Sequence, residues 1–153
     1  SCIALGNLDC KLPLQLPSFY YQLFECFGFR SVNMGRLTTH VLDTARGCPA
    51  AGLNINLFRH VDDKKMVPDH LISSITNADG RSDAPLLEGE EFIAGRYRLA
   101  FAVADYFRKN GDKLPAVPFL EDVVIDFGIN HSGQHYHVPL LLSPYGYSTY
   151  RGC

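Results

Sequence analysis

From Arg36 onward the apolar residues of this chain recur with a period of two, and that alternation restricts the fold more than any other feature. Successive side chains of an extended strand point to opposite faces, so a residue and its second neighbour share a face. Leu37, Thr39 and Val41 fall on one side of the first such run, and Thr38, His40 and Leu42 on the other. Leu53, Ile55, Leu57 and Arg59 alternate with Asn54, Asn56, Phe58 and His60, and Tyr97, Leu99, Phe101 and Val103 with Arg96, Arg98, Ala100 and Ala102. Val123, Ile125 and Phe127 repeat the pattern around Val124 and Asp126. A weaker run from Leu71 to Thr76 stops at the turn Asn77-Ala78-Asp79-Gly80. The runs His135 to Ser143 and Tyr147 to Arg151 flank a further turn, Pro144-Tyr145-Gly146. About seven short strands with Gly, Pro, Asn and Asp at their joints predict an all-β sandwich. One segment departs from the pattern. Asp105 is placed to cap Tyr106-Phe107-Arg108-Lys109, and Asn110-Gly111 supplies a left-handed stop, which predicts one short helix.

At 153 residues the chain has room for one ordinary core. The residues from Met34 to Cys153 are read as that domain, and Ser1 to Asn33 as a poorly ordered N-terminal extension, with a docked helix or strand as the other possibility. Glu25 inside the apolar run and the lack of a cationic start make this stretch a poor secretory signal. The net charge is −2, from 14 Lys and Arg against 16 Asp and Glu, with no basic stripe of the kind that displaces counterions from a nucleic acid. No apolar run approaches the roughly 20 residues of a membrane span. The five cysteines show neither metal-type spacing nor an even count, so a reducing compartment without disulfides is expected. A small molecule or a protein remains as the partner. Asn130-His131-Ser132 fits a glycosylation acceptor and is read as chance.

Several residues carry chemistry. In His135-Tyr136-His137 the two imidazoles share one strand face about 6.5–7 Å apart. Such a pair suits metal binding or proton transfer near neutrality, and two surface histidines are the plainer reading. His40 shares its face with Thr38 and Leu42, an odd setting for a merely solvated histidine, although a satisfied interior histidine is the commoner case. Arg81, directly after Asp79-Gly80, either aims a permanent cation at an oxyanion or braces a neighbouring loop. Tyr147 to Cys153 read as a strand rather than a frayed tail. His60, His70 and His131 are given no role. Three histidines, His40, His135 and His137, are an open zinc-site alternative by ligand type.

The runs Leu37-Thr38-Thr39-His40-Val41-Leu42-Asp43-Thr44-Ala45-Arg46-Gly47, Thr76-Asn77-Ala78-Asp79-Gly80-Arg81 and His135 through Gly152 resemble the transthyretin-like family, in its 5-hydroxyisourate hydrolase branch. The resemblance covers Arg36 to Cys153 and is most specific at its C-terminal block. It implies a sandwich of two four-stranded sheets with one short helix. It also implies a homotetramer, a dimer of dimers with sites in a central channel. The implied reaction is hydrolysis of 5-hydroxyisourate to 2-oxo-4-hydroxy-4-carboxy-5-ureidoimidazoline in urate breakdown, with no cofactor or metal required and a cytoplasmic or peroxisomal setting. By position, the resemblance puts His40, Arg81 and His137 in catalytic roles, with Tyr150, Arg151 and Cys153 helping His40 and Arg81 to hold substrate and His135 behind them. Cys153 stands where the family has serine, a weaker donor in its place. A carrier of an apolar ligand such as thyroid hormone is the alternative within the same fold. A carrier calls for an apolar channel, whereas imidazoles and guanidinia suit polar ring chemistry.

Overall fold

A computed structural model describes residues 35–61 and 67–152. The extension and Cys153 lie outside the described residues. The strands in chain order are β1 (Arg36–Asp43), β2 (Cys48–Pro49), β3 (Asn54–His60), β4 (Asp69–Ile75), β5 (Leu87–Glu88), β6 (Gly95–Ala102), β7 (Asp122–Ile129), β8 (Tyr136–Ser143) and β9 (Gly146–Thr149). A 3-10 turn spans Gly89–Glu91 and one helix, α1, spans Val103–Lys109. One sheet has the order β2-β1-β8-β9, with β5 also paired to β1, and the other has the order β4-β3-β6-β7.

The alternation seen in the sequence decides which face each strand buries. In β1 the buried residues are Leu37, Thr39, Val41 and Asp43, and the residues between them are half-buried or exposed. Leu37, Val41, Leu140 and Leu142 from the first sheet join Ile55, Leu57, Tyr97, Leu99 and Phe101 from the second in one core. Each fully buried aliphatic side chain contributes roughly 1.5–3 kcal/mol through removal from water, which commits both sheets to this register. The expected sandwich of two sheets with one helix is what forms, with two-residue strands β2 and β5 added, too short to leave a periodic signature.

Two boundaries differ from expectation. The helix begins at Val103, not after Asp105, because Val103 and Ala104 are buried and drawn into the core. Asp105 lies in the first turn, where a carboxylate complements the helix dipole, and the Ala104 amide is satisfied by the Glu121 carbonyl at 2.9 Å. The stop does form: Gly111 has φ 90°, and the Asp112 and Gly111 amides donate to the carbonyls of Phe107 and Arg108. At the other end β9 stops at Thr149, and the chain beyond it touches β8 again through a bridge between Gly152 and His137.

Apart from the β1–β8 pair, which is parallel, the strand pairs are antiparallel. That parallel pair sets Thr38 beside His137. Its end is anchored by Asp43, fully buried, whose carboxylate accepts from the Ala45 and Arg46 amides, the Arg46 guanidinium at 2.7 Å and the Tyr106 hydroxyl at 3.0 Å. Arg46 also pairs with Asp112, tying β1 to the residues after α1. Burial and the Asp43 carboxylate push the Tyr106 phenol up to about 12.

Candidate active site

The outward face of β1 and β8 carries the polar side chains that the core excludes. Thr38 and His40 project there from β1, and His137 from β8, with His135 just before that strand. On the other edge of β1, the chain from Gly80 to Glu88 runs antiparallel, bonded through the Val41 amide to Gly80 at 2.8 Å and the Leu86 amide to Leu37 at 2.8 Å. This run puts Arg81 in a bridge opposite His40, a pairing that sets both side chains on one face.

The turn that delivers Arg81 is built by its own residues. Asn77 Oδ1 accepts from the Asp79 and Arg81 amides at 3.0 and 3.1 Å, and Asn77 Nδ2 donates to Asp83 at 2.9 Å. Gly80 adopts φ +71°, and a Cβ there would stand 2.3 Å from the Val41 carbonyl oxygen. Glycine is required on both counts.

Arg36, Thr38, Thr39, Arg81, His135 and His137 surround a cavity of about 440 Å3, closed on one side by the loop Ser82 to Pro85. The Arg81 guanidinium has no hydrogen bond or ion pair among the described residues, so it does not brace a loop and its charge is available to the cavity. Thr38 Oγ1 lies 3.1 Å from His135 Nε2 and 2.9 Å from His137 Nδ1, and the Arg36 Nε–H donates to His135 Nδ1 at 3.2 Å. The two imidazoles stack with centroids 6.3 Å apart, close to the spacing expected of alternate residues on a strand. A larger cavity of about 790 Å3 over β3 and β4 brings together no imidazole and no guanidinium.

All three histidines are held below the ordinary imidazole value. For His40 the cause is burial and then Arg81, with Asp79 pulling the other way. For His137 it is burial, then the charges of Arg81, His135 and His40, opposed by the backbone of Thr38. For His135 it is burial and then Arg36. Neutral imidazoles beside an unpaired guanidinium can exchange protons with water while the cation stabilises an oxyanion. Among the described residues no group of three or more His, Cys, Asp or Glu is placed to hold a metal ion, so His40, His135 and His137 do not assemble as the three-histidine ligand set.

The C-terminal candidates sit elsewhere in the single chain. Tyr150, 59% exposed, and Arg151 border a separate cavity of about 250 Å3 with Tyr136 and Val138. The Arg151 guanidinium stacks over the Tyr136 ring at 4.4 Å and donates to Gln134 at 3.0 Å. Cys153 lies outside the described residues. Arg36 and Thr38 escaped the sequence reading as site residues. Thr38 shares a face with His40, but its neighbours on β8 lie almost a hundred residues away.

A sandwich of this topology with a histidine and arginine cluster on one outer face defines a transthyretin-type scaffold carrying a polar site. The chain belongs to the HIUase/Transthyretin family, whose model matches residues 37–152. It is 60% identical over 119 residues to 5-hydroxyisourate hydrolase 2 of Rhizobium meliloti, covering 77% of this chain and 96% of that one. The solved 5-hydroxyisourate hydrolase of Klebsiella pneumoniae superposes with a TM-score of 0.60 at 35% identity, covering 78% of this chain and all of that one. Sea bream transthyretin in complex with thyroxine superposes with a TM-score of 0.68 at 27% identity, covering 76% and 94%. No helix among the described residues is long and apolar enough to cross a membrane.

Proposed function

We propose that the protein is an enzyme that hydrolyses 5-hydroxyisourate to 2-oxo-4-hydroxy-4-carboxy-5-ureidoimidazoline in urate degradation. The observation that carries this reading is the unpaired Arg81 guanidinium, which lines a cavity with neutral His137 and stands opposite neutral His40 across a bridge, in a chain so similar to a named hydrolase. One imidazole takes a proton from water as its oxygen bonds to the ring carbonyl carbon. Arg81 neutralises the resulting oxyanion. The ring carbon–nitrogen bond then breaks as the imidazolium returns the proton it took from water to the leaving nitrogen, the other imidazole donates a hydrogen bond there, and the new carboxyl releases its remaining proton to water to leave a carboxylate. This reading requires no cofactor.

Tyr150, Arg151 and Cys153 are proposed to contact substrate in an assembled homotetramer, a dimer of dimers, where a neighbouring copy adds to the cavity that one chain only begins. On this reading Cys153→Ser raises activity, because a hydroxyl donates better than a thiol. The carrier alternative has the thyroxine-bound relative behind it, but the cavity's imidazoles and guanidinia do not suit an apolar ligand. A reducing intracellular setting, cytoplasmic or peroxisomal, is proposed from the cysteine pattern of the sequence and the resemblance alone.

The test is an ultraviolet time course of freshly made 5-hydroxyisourate with and without purified protein. Accelerated decay that disappears in His40→Ala and Arg81→Ala, with the oligomer intact by gel filtration, is the expected result. Decay at the uncatalysed rate in the presence of the wild-type protein would overturn the reading.

A further inference from the structure

We propose that Arg36, His135 and Thr38 form a directed hydrogen-bond chain that keeps the proton of neutral His137 on Nε2, so that His137 offers the cavity a donor and not a base. A guanidinium has donors and no acceptor. The Arg36 Nε–H directed at His135 Nδ1 therefore makes that nitrogen the acceptor. Neutral His135 then carries its proton on Nε2, which faces Thr38 Oγ1 at 3.1 Å and donates to it. Thr38 has a single hydroxyl hydrogen, and with one lone pair already occupied it turns that hydrogen to His137 Nδ1 at 2.9 Å. Among the described residues no third side chain hydrogen-bonds to Thr38 Oγ1 and no side chain hydrogen-bonds to His137 Nε2, leaving Nε2–H for a bound molecule. The downward pull of burial and of Arg36 on His135 agrees with a neutral ring at the centre of the chain.

The direction assigns the chemistry. A neutral imidazole can serve as a base only through its unprotonated nitrogen, and that nitrogen of His137 is occupied by Thr38. His137 is left to donate to the leaving nitrogen or the developing oxygen, and the base is His40. Arg36, His135 and Thr38 are positioning residues that act through His137. Their catalytic role rests on the hydrolase reading, whereas the tautomer itself does not.

The deciding measurement is two-bond proton–nitrogen correlation on the full chain with 15N-labelled imidazoles, without substrate and above the titration of its histidines. Protonated Nε2 and unprotonated Nδ1 are expected for both His135 and His137. A proton on His137 Nδ1, handed to the backbone carbonyl of Thr38 that opposes the lowering of its pKa, overturns the chain. Thr38→Val is expected to release the His137 tautomer and to lower kcat about a hundredfold with less change in KM, and Thr38→Ser to restore both. An unchanged tautomer and kcat in a folded Thr38→Val protein would equally overturn it. If the wild-type protein fails to accelerate 5-hydroxyisourate decay, the hydrolase reading falls while the spectra still decide the tautomer.

Discussion

The Gly152 amide donates to the His137 carbonyl at 2.8 Å, and the imidazole of His137 lies against the same glycine. A Cβ at position 152 would stand 2.8 Å from His137 Cδ2, closer than real contacts allow. The C-terminal residues thus shape the cavity from behind the ring, whatever Tyr150 and Arg151 do in an assembly. Gly152→Ala is expected to push the ring off its Thr38 bond and to cut kcat/KM about tenfold or more, with little change in melting temperature. Steady-state kinetics beside a thermal melt separate this from a general loss of structure.

The Arg81 turn tests the same idea from the other edge of β1. Gly80→Ala meets both a left-handed backbone and the Val41 carbonyl, so a stability loss of about 1–3 kcal/mol is expected. Urea unfolding gives the value. A variant as stable as the wild type would mean that the turn is not held in this conformation.

Arg81 also controls the pH profile. Its charge lowers His40 and His137, and the ring that takes the proton from water must be neutral for the chemistry proposed. The acid limb of kcat/KM should therefore lie below the ordinary histidine range, near 6.5. Arg81→Gln removes that repulsion and raises both values, so its much smaller residual rate should begin to fall at a higher pH. A limb that stays put or moves to lower pH contradicts the coupling.

Asp43 should matter for stability. Asp43→Ala strands the buried Tyr106 hydroxyl, takes the acceptor from the part-buried Ala45 and Arg46 amides and removes an ion pair to Arg46, which together cost about 3 kcal/mol. Chemical denaturation measures it, and a shift well under 1 kcal/mol would show that water replaces the carboxylate.

Much of this was legible from local pattern. The alternation around Leu37 and Val41 located both faces of β1, and two residues of strand separation put His135 and His137 close to the 6.3 Å ring spacing observed. What the pattern could not give was pairing between distant segments. Thr38 meets the histidines only because β8 lies beside it in parallel register, and Arg81 reaches the same cavity only because residues 80–88 return along β1. The helix start is hidden in the pattern because Val103 continues the alternation of β6 while its backbone already turns. Tyr150 and Arg151 followed from resemblance, and in the single chain they border a different cavity from the histidines.

The parallel seam between β1 and β8 has a consequence for biosynthesis. Every group that contacts Thr38 through its hydroxyl comes from the far end of the domain, across a loop whose closure must precede the contact. A nascent chain emerging from the ribosome can form the hairpin of β3 and β4 early, yet it stays inert until β8 has been synthesised and zipped into place. Onset of turnover would therefore report completion of the whole tertiary structure rather than of any local unit.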